Sequence, residues 1–286
     1  MSDAARNLPA ALAMVAAMAS FCINDAFMKA LAVDVPIGEL MAVRGVLVTA
    51  LMPPLLHLLG LPLGRPDRFA ILRGIGELLV GYAFIAALRH LPLGDTYTLY
   101  FSAPIILTAA AALLFGEKVG HARWLAVLGG FAGVLVAVGL PSQWQPAAAL
   151  ALLAALVSVA RDIVTRMVAA EVGSGTVALT TGVIVMLGGF ASAASGNWVP
   201  LGWLELLGCA LAALGAAGGY VGFVAGMRMG DISFVATFRY SAIPLAMLLG
   251  LVIWGDLPSP RMAVGALVII ASGVFILVEE RWRRRG

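Results

Sequence analysis

Long apolar stretches alternate with short polar connections along this chain, and the stretches recur at a steady length. Ten stand out, at about 9–31, 36–57, 69–90, 94–115, 121–140, 146–168, 175–196, 202–227, 232–254 and 261–279. Each holds about 20 residues, enough as helix to cross roughly 30 Å of hydrocarbon. The pattern predicts an all-α integral membrane fold of ten transmembrane helices. Because the connections are short, it also predicts that helices adjacent in sequence are neighbours in space. Most prolines, Pro36, Pro92, Pro141, Pro146, Pro200, Pro258 and Pro260, fall in or beside connections, where they cost little. Pro53 and Pro54 lie near the end of a span. Only Pro104 and Pro244 fall at the middle of one.

Those two prolines mark a pair of related helices. The fourth span reads Y-T-L-Y-F-S-A-P-I-I-L-T-A-A-A-A-L-L-F-G-E from Tyr97 to Glu117, and the ninth reads T-F-R-Y-S-A-I-P-L-A-M-L-L-G-L-V-I-W-G-D from Thr237 to Asp256. In each, a tyrosine stands four residues before the proline: Tyr100 before Pro104 and Tyr240 before Pro244. Proline lacks an amide donor and its ring crowds the carbonyl four residues back, so both tyrosine carbonyls are expected to loosen. Inside a bilayer a freed carbonyl needs a partner or a wet cavity. Pro104 and Pro244 are therefore expected to act as hinges beside a central pathway.

The echo extends beyond these helices. Asp25 and Lys29 return as Asp162 and Arg166, Gly81-Tyr82 as Gly219-Tyr220, and Arg89 and Gly94-Asp95 as Arg228 and Gly230-Asp231. Gly116-Glu117 returns as Gly255-Asp256. All the offsets fall between 136 and 140 residues. This predicts two five-helix repeats, 1–141 and 142–286. Five is odd, so the second copy enters the membrane upside down, and a cavity between inverted halves is expected. Glycines at 129, 130, 133 and 139, with Gly265 and Gly273 opposite, suit close helix packing or a dimer surface.

Composition agrees with a membrane protein. Residues are 62% apolar and only 12% charged, and mean hydropathy is +1.02. No polar stretch is long enough for a separate soluble domain. The net charge of +3 does not indicate nucleic acid, because the basic residues cluster at helix ends. With both termini cytoplasmic, twelve Lys and Arg fall on the inner side, while Lys29, Arg89 and Arg261 fall on the outer side. The bilayer implied is a bacterial-type inner membrane. The start of the chain lacks the basic cluster of a cleavable signal. Cys22 and Cys209 lie within apolar runs and read as packing residues, with no disulfide framework, metal site or cofactor indicated.

Ionisable groups inside spans are few and costly, and they mark candidate sites. They are Asp25, Arg44, Glu77, Arg161, Asp162 and Arg239. Arg44 and Glu77 lie at similar depth on adjacent spans, as a buried ion pair or a solute or proton site. Arg239, beside Tyr240, either pairs with Asp162 or neutralises a solute carboxylate. Tyr97, Tyr100 and Phe101 share one side of the fourth span, and Thr237, Tyr240 and Ser241 do so on the ninth. Tyr82 and Asn24 complete a candidate binding set of hydroxyl-tipped rings and amides, suited to a mid-sized, partly apolar solute. The same groups also serve as interhelical hydrogen bonds. No metal-hydrolase, nucleophile-elbow or phosphate-loop pattern is present, so an enzyme is not expected.

Ten spans, the five-plus-five repeat, the mid-span proline and the F-G-E at Phe115–Glu117, echoed by W-G-D at Trp254–Asp256, resemble the drug/metabolite transporter superfamily, EamA-type branch. That resemblance covers nearly the whole chain. It implies a secondary transporter exporting amino acids, aromatic ones among them, and related metabolites or drugs by alternating access. The alternatives are a structural membrane subunit or an intramembrane enzyme. The expected partners are a small-molecule solute and the lipid bilayer; one chain suffices for a pathway, and a dimer stays open.

Overall fold

The computed structural model describes residues 3–115, 121–139, 145–169, 171–194, 196, 198–229, 235 and 238–283. Among them the chain is helical, with α1 (Asp3–Leu31), α2 (Ile37–Leu58), α3 (Arg68–Leu88), α4 (Leu93–Tyr100), α5 (Ala103–Phe115) and α6 (His121–Val138). There follow α7 (Pro146–Thr165), α8 (Ser174–Ala193), α9 (Trp203–Met229), a 3-10 turn (Phe238–Ser241), α10 (Ala242–Trp254) and α11 (Pro260–Arg283). Every predicted span is occupied by helix. Six helices are long and apolar enough to cross a membrane unaided: α1, α2, α3, α7, α8 and α9. The protein is therefore a multi-pass membrane protein.

The shorter helices have identifiable causes. The fourth span is broken into α4 and α5 at Phe101–Ser102, and in the ninth a 3-10 turn, Phe238–Ser241, leads directly into α10. Bends at the two prolines are expected from the sequence; the fourth span instead comes apart. Pro104 and Pro244 become the second and third residues of a fresh helix, where a missing amide costs nothing. At the first break the amides of Phe101 and Ser102 still reach back to Tyr97 and Leu99, at 2.9 and 3.2 Å. The Ser102 hydroxyl also donates to the Leu99 carbonyl at 2.7 Å. The break is thus closed by its own side chain.

Packing departs from the expected neighbour order. The principal contacts are α1 with α9, α2 with α8, α3 with α7 and α8, and α6 with α11. Helices adjacent in sequence touch only lightly. Short connections limit how far a helix can move, but in lipid the choice of face is made by close packing. Glycines make that choice here. A Cβ on Gly222 or Gly226 of α9 would meet the backbone of α1 at Ala13 or Ala10, each at 3.0 Å. One on Gly189 of α8 would collide with Ala42 of α2. Gly133 and Gly265 face each other between α6 and α11, so this small-residue surface is used within the chain.

Outside the spans, Asp67 caps α3 by accepting from the Ala70 amide at 2.7 Å. Its other oxygen accepts from the Ala169 amide at 3.0 Å. These backbone donors hold its carboxyl below the usual aspartate range, Ala169 most strongly.

Candidate functional site

The broken fourth span places a run of aromatic rings at the centre of the bundle. Phe84 of α3 meets Tyr97 edge-on at 5.5 Å and Tyr100 at 5.1 Å. Tyr97 stacks on Phe101 at 5.8 Å, and Tyr100 meets Phe101 edge-on at 5.8 Å. Phe101, at the break, then meets Tyr240 of the ninth span at 5.9 Å. One continuous aromatic wall therefore connects the two interrupted spans. Such ring pairs contribute about 0.5–1.5 kcal/mol each beyond burial.

Two polar networks adjoin this wall. In the first, Tyr97 donates its hydroxyl to Asp25 Oδ2 at 2.6 Å, and Asn24 donates to Asp25 Oδ1 at 2.6 Å. Arg44 of α2 donates to the Asn24 side-chain carbonyl at 3.0 Å. In the second, Arg161 of α7 lies between two carboxylates. Its Nη1 is 2.7 Å from Glu77 Oε2, and its Nη2 is 2.7 Å from Asp162 Oδ1. Arg73 approaches Glu77 from one turn away at 3.6 Å and donates to Thr181 at 2.6 Å. The Arg161 side chain is 11% exposed, while Glu77 and Asp162 are each 33% exposed. The cation is enclosed and both acids keep an open side.

The expected charge pairs are exchanged. Arg44 donates to Asn24 rather than bridging Glu77, and Glu77 takes Arg161. Asp162 is held by the arginine preceding it, not by Arg239. Arg239 instead lies over the Phe223 ring of α9 at 5.6 Å. Helical depth alone places these groups at one level but does not give their azimuth, and α3 turns Glu77 toward α7.

The predicted binding residues do not all come together. Tyr97, Tyr100, Phe101 and Tyr240 come together in the wall, with Asn24 in the adjoining network. Tyr82 lies apart, its hydroxyl engaged with Ser192 of α8. Thr237 lies outside the described residues, as do Glu117 and Asp231. Tyr240 and Ser241 are notable for a different reason: among the described residues, the hydroxyls of both are buried without a hydrogen-bond partner. Tyr240 is pressed against Gly273 of α11, where any side chain would collide with its ring. Phe84 and Asp25 join the site from outside the predicted binding set. Asp25 is among the embedded acids, but Phe84 is one of 12 phenylalanines and has no distinguishing spacing.

Comparison with known proteins gives this arrangement a context. Residues 8–139 match the EamA-like transporter family. A riboflavin transporter of Rhizobium johnstonii is 30% identical over 211 residues, 71% of this chain and 68% of that protein. The chain belongs to the EamA-like transporter family. That family falls within the drug/metabolite transporter superfamily resembled by the sequence motifs. Another relative, the pseudopaline exporter CntI of Pseudomonas aeruginosa, is 23% identical over 91% of this chain and 93% of its own. A solved crystal structure has the same fold, with a TM-score of 0.65 at 21% identity, over 98% of this chain and 100% of that one. This EamA-like chain is thus a transporter by family, and its described helices include six long and apolar enough to cross a membrane.

Proposed function

We propose that the chain is a secondary carrier that exports small, partly apolar solutes by alternating access, with aromatic amino acids foremost. The observation that carries this reading is the Phe101–Tyr240 contact, which joins two interrupted spans through one aromatic wall. A flat ring can stack on such a wall, and the adjoining acids and Arg161 are suited to the charges of an amino acid. The buried hydroxyls of Tyr240 and Ser241, without a partner among the described residues, offer polar contacts to a solute. A buried unmade hydrogen bond costs about 1–3 kcal/mol, which a bound solute would recover.

Two inverted repeats, 1–141 and 142–286, are the architecture we infer behind this. The ordered echo of residues supports it, and so does the packing. If the spans are counted one to ten, exchanging each with the span five places away maps the contacts onto one another. Span one with eight becomes span six with three, and both pairs are present as α1–α9 and α7–α3. Spans two with seven, four with nine and five with ten map onto themselves, and all three are present. The distribution of basic residues supports cytoplasmic termini in an inner membrane.

Uptake of a labelled solute panel by proteoliposomes tests the reading. The panel is tryptophan, tyrosine, phenylalanine, leucine, glutamate and, because one relative is named for it, riboflavin. We expect saturable flux of ring-bearing solutes, lowered about tenfold or more by Phe101→Ala. Flux of none of them above protein-free liposomes contradicts it.

A further inference from the structure

One charge cluster lies away from the aromatic wall, at the end of the bundle where α1 and α10 finish and α4 begins. Lys29, in the last turn of α1, donates to the Leu91 carbonyl just before α4 at 2.7 Å. The same ammonium is 3.5 Å from Asp256 Oδ2 and 4.9 Å from the centre of the Trp254 ring. Both side chains of the ion pair are largely enclosed, Lys29 at 14% and Asp256 at 28% exposure.

The backbone is shaped to bring Asp256 there. Gly255 takes a left-handed conformation, φ 72°, and ends α10 with its amide bonded to Leu251 at 3.0 Å. The Asp256 amide closes back on the Gly250 carbonyl at 3.2 Å. This is a glycine helix cap that reverses the chain within one residue. The carboxylate after the glycine is thereby turned inward toward α1. Around it the helices are closely packed: a Cβ on Gly94 of α4 would meet the Met247 Cα of α10 at 2.9 Å. The Gly-Asp pair therefore has a physical role beyond ending a helix. The glycine makes the turn and the acid crosses the seam.

We propose that Lys29 and Asp256 form a latch that closes this end of the solute pathway, and that it must part for solute to pass. The proposal rests on the carrier reading for its purpose, but its geometry stands independently. Lys29 holds three partners from two other segments at once, so separating α1 from α10 breaks the ion pair and the ring contact together. Such a device suits a gate better than a permanent brace. The pair is not fully buried, water can resolvate it on opening, and neither charge is stranded in lipid.

The chain carries its own reporter. Cys22 is fully buried at the α1–α10 seam, with its thiol 3.5 Å from the Ala242 carbonyl. It lies seven residues before Lys29, about 10 Å deeper by helical rise. In a Cys209→Ala background, a charged, membrane-impermeant methanethiosulfonate would be applied to sheared membranes offering both faces. Lys29→Met and Asp256→Asn, near-isosteric and uncharged, are each expected to speed labelling of Cys22 by about tenfold. Asp256→Glu and Lys29→Arg keep the charges and are expected to label within about threefold of the parent. Equal rates for Asp256→Asn and the parent, or for Asp256→Asn and Asp256→Glu, would overturn the latch. Flux is read separately, and a parent that moves no solute overturns the carrier reading whatever the labelling rates.

Discussion

Arg161 sits at the junction of two carboxylates. It contacts Glu77 of α3 and Asp162 of its own helix together, both at 2.7 Å, and among the described residues Glu77 has only the longer 3.6 Å approach of Arg73 besides. Removing one member of a buried ionic set costs about 3–5 kcal/mol because the rest keep their charge. Arg161→Met should therefore lower the thermal unfolding midpoint in detergent, and adding Glu77→Gln should restore part of the loss. A single variant as stable as the parent would contradict this view of the network. The sequence makes Arg161 visible as an embedded charge. It does not reveal its partners, because helical rise gives depth and only packing gives direction. That is why Arg44 and Arg239, equally conspicuous, are found with Asn24 and Phe223 instead. Rings were more legible than charges. Tyr97, Tyr100 and Phe101 lie within one turn of a single span, so their shared side follows from local geometry. Phe84 enters only through α3, which no spacing in its own helix foretells.

At the scale of elements, the two proline spans carry the account. Both prolines lie just inside the start of a helical segment, and at both places the chain before them is not continuous α-helix. The sequence gives the site of the discontinuity through the Tyr-x-x-x-Pro spacing. It understates the extent, because proline alone bends a helix while Ser102 helps end one by bonding the Leu99 carbonyl. Pro244 is exposed, so replacing it disturbs little packing. Pro244→Ala returns an amide donor to the turn at Tyr240 and favours continuous helix there by about 3 kcal/mol. We expect the variant to insert in the membrane at parental levels and to move solute about tenfold more slowly in proteoliposomes. Parental flux would remove the hinge role. Helix pairing, by contrast, was not legible from connection length. It follows from glycine faces such as those of α9 against α1, which brought together spans far apart in the chain.

The whole molecule is a membrane bundle in which the two halves of the chain are interleaved rather than set side by side. Spans one to three pack chiefly on spans six to eight, and span five on span ten. Neither half therefore has a core of its own, and relative movement must be a change in how the halves fit. Composition announced the membrane, and the run lengths announced the spans. The family then follows from the matched segment and its relatives. Interleaving was hidden because hydropathy records how deep a residue lies and not which helix it meets. A single pathway exposed to each side in turn has a kinetic signature that neither a pore nor a structural subunit shares. The most direct measurement is counterflow: proteoliposomes loaded with unlabelled tryptophan, diluted into a trace of labelled tryptophan, with no nucleotide and no ion gradient. The account predicts a transient accumulation of label above its equilibrium level, lost in Phe101→Ala. Label that rises monotonically to equilibrium, or no faster than in liposomes without protein, would contradict it.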